Sequence, residues 1–182
     1  MKDFLNKFKS KTKSKSGMSL GETLVAVLII LLVSLSLAST MSLAANQYVK
    51  TKRKLEANIL MSSLCTIVSD ELGYATSVKL DSSNNVVSFI GNNYLTDKYT
   101  GKLASLNGRL AYVNIDNNNE FIELLAKSAY SNGMKVEMQE PKYNSANNTY
   151  KVTIYIKDPG DKPLISKTFD VININGVPEY AS

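Results

Sequence analysis

The chain has 182 residues, 44% of them hydrophobic and only 8% aromatic, with a formal net charge of +5. That length accommodates one modest domain and an appendage rather than two full domains. There is no His and one Cys, Cys65. A Ser-His-Asp or Cys-His nucleophile system is therefore excluded, as are a four-ligand structural zinc site and an intrachain disulfide.

The charge is unevenly placed. Residues 1–17 carry Lys2, Lys7, Lys9, Lys11, Lys13 and Lys15 against Asp3, a net of +5, and the other 165 residues hold 15 basic and 15 acidic side chains. A basic excess points to nucleic acid or an acidic surface. Here it is confined to one short arm, and the neutral remainder argues against a nucleic-acid partner.

After Gly17-Met18-Ser19-Leu20-Gly21-Glu22-Thr23 comes Leu24 to Ala45, 22 residues without charge or Pro. As an α-helix rising ~1.5 Å per residue it extends ~33 Å, about the thickness of a bilayer's hydrocarbon. Leu24–Val33 is continuously apolar, and Ser34, Ser36, Ser39, Thr40 and Ser42 dilute the rest. Lys50, Lys52, Arg53 and Lys54 follow the span. The heavier excess before it favours an N-terminus inside and the bulk of the chain outside. Two other readings compete. A buried core helix is rarely so long without charge. A secretory signal peptide would be cut after a small-residue site such as Leu37-Ala38-Ser39 or Leu43-Ala44-Ala45, but Glu22 and the length of the run fit it poorly.

Glu22 is the most informative residue. A carboxylate in a bilayer costs at least ~2.5–3.5 kcal/mol on insertion scales, and no basic residue lies close downstream. A cut between Gly17 and Met18 would create an α-amino group on Met18. In a continuous helix Met18 and Glu22 are i and i+4 on one face. The new ammonium could neutralise Glu22 in the same chain or in a neighbour.

The Lys-rich arm, Gly17, Met18, Leu20, Glu22 and the run Leu24-Val25-Ala26-Val27-Leu28-Ile29-Ile30 resemble the leader and N-terminal helix of type IV prepilins. The resemblance covers about residues 7–72. It implies that a leader peptidase cuts after Gly17 and methylates Met18. It also implies that Glu22 aligns the incoming subunit with its neighbour's N-terminus during assembly. The chain departs from the family where Met18 replaces the commoner Phe, Gly21 replaces an aliphatic residue, and Ser39 stands where a Pro is often found. The implied life history is a single-pass membrane protein with a cytoplasmic N-terminus, later part of a cell-surface pilus. The implied partners are other pilin subunits, the prepilin peptidase, the pilus assembly platform and, before assembly, membrane lipid.

No Pro or Gly interrupts the chain between Ala45 and Leu72. At ~100° per residue Ala57, Leu60, Met61, Leu64, Cys65, Ile67, Val68 and Leu72 fall in one arc, with Ile59 outside it. One helix is therefore expected from about Met18 to Leu72, stopped by Gly73. Cys65 at the arc's edge reads as a small packed hydrophobe. Glu71 ends the arc, where it is expected to reach water.

Downstream, Val78–Leu80, Val86–Ile90 and Arg109–Ile115 read as strands. Phe121–Tyr130 has helical spacing, ended by Asn132-Gly133. Met134–Gln139, Tyr150–Lys157 and Leu164–Ile174 read as three more strands. Val152, Ile154 and Ile156 alternate with Thr153, Tyr155 and Lys157 as one half-buried face should. Asp158-Pro159-Gly160-Asp161 is a turn signal. The fold expected is α+β and pilin-like: a long N-terminal helix packed on a C-terminal antiparallel sheet. Its segments are a leader at 1–17, a membrane half at 18–45, an amphipathic half at 46–72 and a globular domain at 73–182.

Other candidates are weaker. Asp116, Asn118 and Glu120 alternate like a Ca²⁺ loop but lack its Gly and distal Glu. Asn147-Asn148-Thr149 matches a glycosylation sequon. Tyr74, Tyr94, Tyr99 and Tyr112 are either packing or ligand-facing aromatics. No catalytic constellation, cofactor site or metal site is expected. The expected function is structural, as a pilus subunit and more specifically a minor pilin. The alternatives are a pseudopilin of a secretion or DNA-uptake system and a signal-anchored extracytoplasmic binding module.

Overall fold

The computed structural model describes residues 19–91, 96–97, 99–117, 120–176 and 178–180. The chain divides into two units at Val49/Lys50.

One helix, α1, runs 54 residues from Leu20 to Gly73. It ends where Gly73 and the chain beyond it leave the helix, with the Gly73 carbonyl accepting the Ile174 N–H at 2.9 Å. In the unit before Lys50 its residues are apolar on every side and almost all exposed. In the unit after Lys50 the exposure becomes one-sided. Ala57, Leu60, Met61, Leu64, Val68 and Leu72 are buried, while Ile59 is exposed as its place outside the arc required.

Among the described residues ten strands follow in two sheets. β1 (Thr76–Leu80), β2 (Val86–Ile90), β3 (Gly101–Leu106), β4 (Arg109–Asn114), β5 (Phe121–Glu123) and β10 (Glu179–Tyr180) form the first, in the order β10-β1-β2-β3-β4-β5. β6 (Lys135–Met138), β7 (Lys142–Asn144), β8 (Thr149–Lys157) and β9 (Pro163–Ile172) form the second, with β8 between β9 on one side and β6 and β7 on the other. The expected single antiparallel sheet is thus two sheets, and the first is mixed. β10 pairs with β1 in parallel, Lys79 opposite Glu179 and Leu80 opposite Tyr180. A chain that returns after the second sheet meets the free edge of β1 in the same direction, which no local pattern announces.

The segment Phe121–Tyr130 is not a helix. Phe121–Glu123 pairs with β4, Val113 opposite Phe121 and Ala111 opposite Glu123, and Glu123 forms an ion pair with Arg109. Single 3₁₀ turns at Lys127–Ala129 and Ser131–Gly133 follow. Ten residues are too few for a helix to stand without strong packing. Pairing with β4 and burying half of Ile122 supplied more.

The core joins the buried arc of α1 to both sheets, with Phe89, Leu110 and Tyr112 from the first and Val136, Tyr150, Val152, Ile154 and Ile156 from the second. The alternation expected in β8 is complete: Tyr150, Val152, Ile154 and Ile156 face the core and their neighbours do not. The hairpin β3–β4 turns on Asn107 and Gly108, both at positive φ (51° and 74°), with Leu106 opposite Arg109. This is the two-residue turn that matches strand twist. Asp158–Asp161 closes β8–β9 as expected, the Asp158 N–H donating to the Lys162 carbonyl at 2.9 Å.

Candidate functional site

The N-terminal end of α1 holds the residues expected to act. Gly17 and Met18 lie outside the described residues, as does the arm before them. Ser19 caps the helix. Its hydroxyl accepts the Glu22 N–H at 3.3 Å, and the Glu22 carboxylate accepts the Ser19 N–H at 2.9 Å. These reciprocal bonds form a capping box, which satisfies two of the backbone donors a helix start leaves open. The carboxylate also meets the positive end of the helix dipole. Glu22 therefore has partners inside its own chain, which the reading from charges alone did not foresee. The Ser-x-x-Glu spacing of Ser19-Leu20-Gly21-Glu22 carried that signal. A Cβ at Gly21 would stand 3.9 Å from the Ser19 hydroxyl, an ordinary contact.

Beyond Glu22, Leu24, Ile29, Ile30, Leu31, Leu32 and Val33 are each more than half exposed. The helix is long and apolar enough here to cross a membrane. Four of the hydroxyls in its second part are bonded within the helix. Ser34 donates to the Ile30 carbonyl at 2.7 Å, Ser36 to Leu32 at 3.0 Å, Ser39 to Ser36 at 2.8 Å and Thr40 to Leu37 at 2.9 Å. Such bonds let hydroxyl side chains sit in an apolar medium without an orphaned donor.

No protein-family model matches the chain, and neither does any curated protein or solved structure.

In the domain, the weaker candidates resolve into structure. Cys65 is half-buried and free. Burial pushes its thiol pKa up, opposed by Lys167, so it packs as a poor nucleophile. Glu71 does not reach water. It is buried and accepts the Thr96 hydroxyl at 2.9 Å. Gly91 makes this closure fit, since a Cβ there would overlap both the Thr96 hydroxyl and the Glu71 carboxylate. Tyr112 and Tyr99 are packing residues, their rings 5.7 Å apart, and Tyr74 is exposed. Tyr94 lies outside the described residues.

The stretch read against a Ca²⁺ loop is the β4–β5 turn. The Glu120 carboxylate accepts the Asn114 side-chain amide at 2.9 Å, and Asn114 Oδ1 accepts the Asp116 N–H at 2.9 Å. Asn118 lies outside the described residues. Among the described residues no cluster of three or more His, Cys, Asp or Glu could hold a metal ion. In the sequon, Asn147 is exposed while Asn148 is bound into the fold, its amide donating to the Asn173 carbonyl at 3.0 Å and its Oδ1 accepting the Tyr143 hydroxyl.

Proposed function

We propose that the chain is a type IV pilin-like subunit. The first half of α1 stores it in the membrane, the same half builds it into a fibre, and the β-domain coats that fibre. One observation carries the reading most strongly. Glu22 is the only carboxylate between residues 20 and 55, and it stands at the head of an apolar helix. The capping box alone would serve a simple anchor too, but a charge that resists burial, set between the Gly17–Met18 junction and an uncharged run, makes the signal-anchored module the weaker alternative.

The chemistry follows from charge balance. The prepilin peptidase removes residues 1–17 and leaves a methylated α-ammonium on Met18. On docking at the assembly platform, Glu22 leaves water and lipid headgroups behind and needs a cation. The α-ammonium of a neighbouring subunit supplies one. Its arrival adds to the bond from Ser19. Each of the two charges buried alone would cost several kcal/mol, so registration of one subunit on the next is strongly selected.

Intact-mass measurement of membrane-extracted protein should show loss of residues 1–17 and a methylated Met18. A mature chain beginning after Ala38 or Ala45 would identify an ordinary signal peptide and overturn the reading. Glu22→Ala and Glu22→Leu should both be inserted and cleaved, because the Gly17–Met18 junction is intact. Both should be absent from sheared surface fibres on quantitative blotting against the membrane pool. Normal incorporation of both variants refutes the intersubunit role.

A further inference from the structure

A short stretch of α1 belongs neither to the apolar span nor to the packed arc. Between Glu22 and Glu56 the chain has no acidic residue, and the only charges there are Lys50, Lys52, Arg53 and Lys54. All four are exposed. The ion pairs among the described residues are Arg109–Glu123, Lys135–Asp161 and Lys157–Glu137, so none of the four takes part in one. Glu56, the nearest carboxylate along the helix, accepts the side-chain amide of Asn132.

Like charges are neighbours here. Lys50 and Lys54 are i and i+4, and Lys50 and Arg53 are i and i+3, spacings at which equal charges weaken a helix unless an anion lies between them. At about 100° per residue Lys50, Arg53 and Lys54 span about 100° of the helix circumference, and Lys52 stands on the other side. The cations ring the axis instead of marking one face. A ring suits a surrounding layer of small anions better than it suits the single flat surface of a protein partner.

Position along the helix selects the anion. Lys50 is five residues past Ala45, ~7.5 Å of axial rise. The headgroup layer adds roughly 5–7 Å beyond the hydrocarbon on each side of a bilayer. Ala57, the first buried residue of the helix, comes three positions after Lys54. When Leu24–Ala45 fills the hydrocarbon, Lys50 therefore stands at the outer edge of the headgroup layer and Lys54, ~13.5 Å past Ala45, just beyond it. Side chains on a helix lean toward its N-terminus, here the membrane side, so long Lys and Arg stems bring their charged ends back to the phosphates.

We propose that Lys50, Lys52, Arg53 and Lys54 form a collar that binds the phosphates of anionic lipid headgroups where α1 leaves the membrane. The proposal rests on the membrane-spanning half of the helix and not on fibre assembly. It also gives the cluster a role that sets it apart from the orienting charges of the N-terminal arm, whose bias it opposes when the arm is inside.

The test uses the full chain in phosphatidylcholine vesicles containing a minor fraction of phosphatidylglycerol. Spin-labelled phosphatidylglycerol or spin-labelled phosphatidylcholine is the probe, and electron spin resonance gives the fraction of each held at the protein surface. An about fivefold preference for the anionic label is expected, the effect of one cation near a charged surface. K50Q/K52Q/R53Q/K54Q should lose most of it. K50R/K52R/K54R, which keeps the charge, should retain it, and so should the arm variant K9Q/K11Q/K13Q/K15Q. A preference that survives the Gln collar, or one lost with the arm variant alone, overturns the proposal. So does its loss to inorganic phosphate at an ionic strength at which chloride leaves it intact, because the collar would then be a site for soluble phosphate. Failure here leaves the processing and incorporation results for Glu22 untouched.

Discussion

Leu31 and Leu64 are the same residue in the same helix and meet opposite fates. Leu31 is 59% exposed and Leu64 is fully buried. Helix propensity cannot separate them, since both halves of α1 are rich in good helix formers. Periodicity does. Around Leu31 the apolar residues cover every side, so no single packed face can bury them, and the segment is long and apolar enough to cross a membrane. Around Leu64 they fill one arc, with Ser62, Thr66 and Asp70 exposed on the other side. That arc is buried against sheets built from the rest of the chain. One helix thus carries two patterns, and the change occurs within the basic stretch that joins them.

The comparison breaks most visibly under truncation. Leu64→Ala removes buried side-chain volume from the centre of the core and should destabilise the β-domain by about 3 kcal/mol. Leu31→Ala should leave the domain's stability unchanged, because no domain contact is lost. Denaturant unfolding of the two variants in detergent, followed by proteolysis of the domain, makes the distinction. Equal losses would mean that the two halves unfold as one cooperative unit.

A second test uses the dryness of the domain core. Tyr112 is fully buried, with its hydroxyl 2.5 Å from the Phe89 carbonyl and 2.9 Å from that of Tyr99. Burial above all, with smaller effects from Glu71 and Tyr99, pushes its pKa up to about 12 against bonds that lower it. In the unfolded chain it titrates near ~10. The folded state therefore holds this proton more tightly. The stabilisation is complete below pH ~10 and is lost as pH rises to about 12, a fall of about 2 kcal/mol. Tyr112→Phe should be less stable at neutral pH by about 1–2 kcal/mol, since both carbonyls lose their donor. It should also show a shallower decline above pH ~10. An unchanged alkaline slope would place the titration on other tyrosines.

Much of this fold could be read in the residues, and the failures have physical causes. The helix and its stop at Gly73, the buried arc and the alternation of β8 all depend on local period, which a sequence displays directly. β3 was missed although Asn107-Gly108 marks its hairpin, because Gly101-Lys102-Leu103-Ala104-Ser105 has few β-branched or aromatic residues. Gly101 is there for the ring of Tyr112, which a Cβ would strike. β10 depends on a distant partner and β5 is only three residues long, so neither short segment carries a pattern of its own. At the candidate site, Glu22 was recognisable from its cost in an apolar helix. Its bond to Ser19 was equally legible as a capping box, because the Ser-x-x-Glu spacing offers a backbone partner where charge alone points to a cation. Glu71 was misjudged because its burial depends on Gly91 and Thr96, which lie far along the chain.

The smallest effect expected has the opposite sign. Tyr150 is fully buried beside Tyr143, with ring centroids 5.5 Å apart. Its hydroxyl has no hydrogen-bond partner among the described residues. Burial raises its pKa, so the group stays neutral but keeps an unmet donor in the core. Removing one buried partner of a hydrogen bond costs stability, whereas removing a buried group that has none relieves its desolvation. Tyr150→Phe keeps the ring and its contact with Tyr143. It should therefore stabilise the domain by about 1 kcal/mol, while Tyr112→Phe in the same core destabilises it. Paired thermal unfolding of the two variants gives the comparison directly. A loss of stability in Tyr150→Phe as large as that in Tyr112→Phe would show that the Tyr150 hydroxyl has a partner in solution, and would remove the distinction between the two tyrosines.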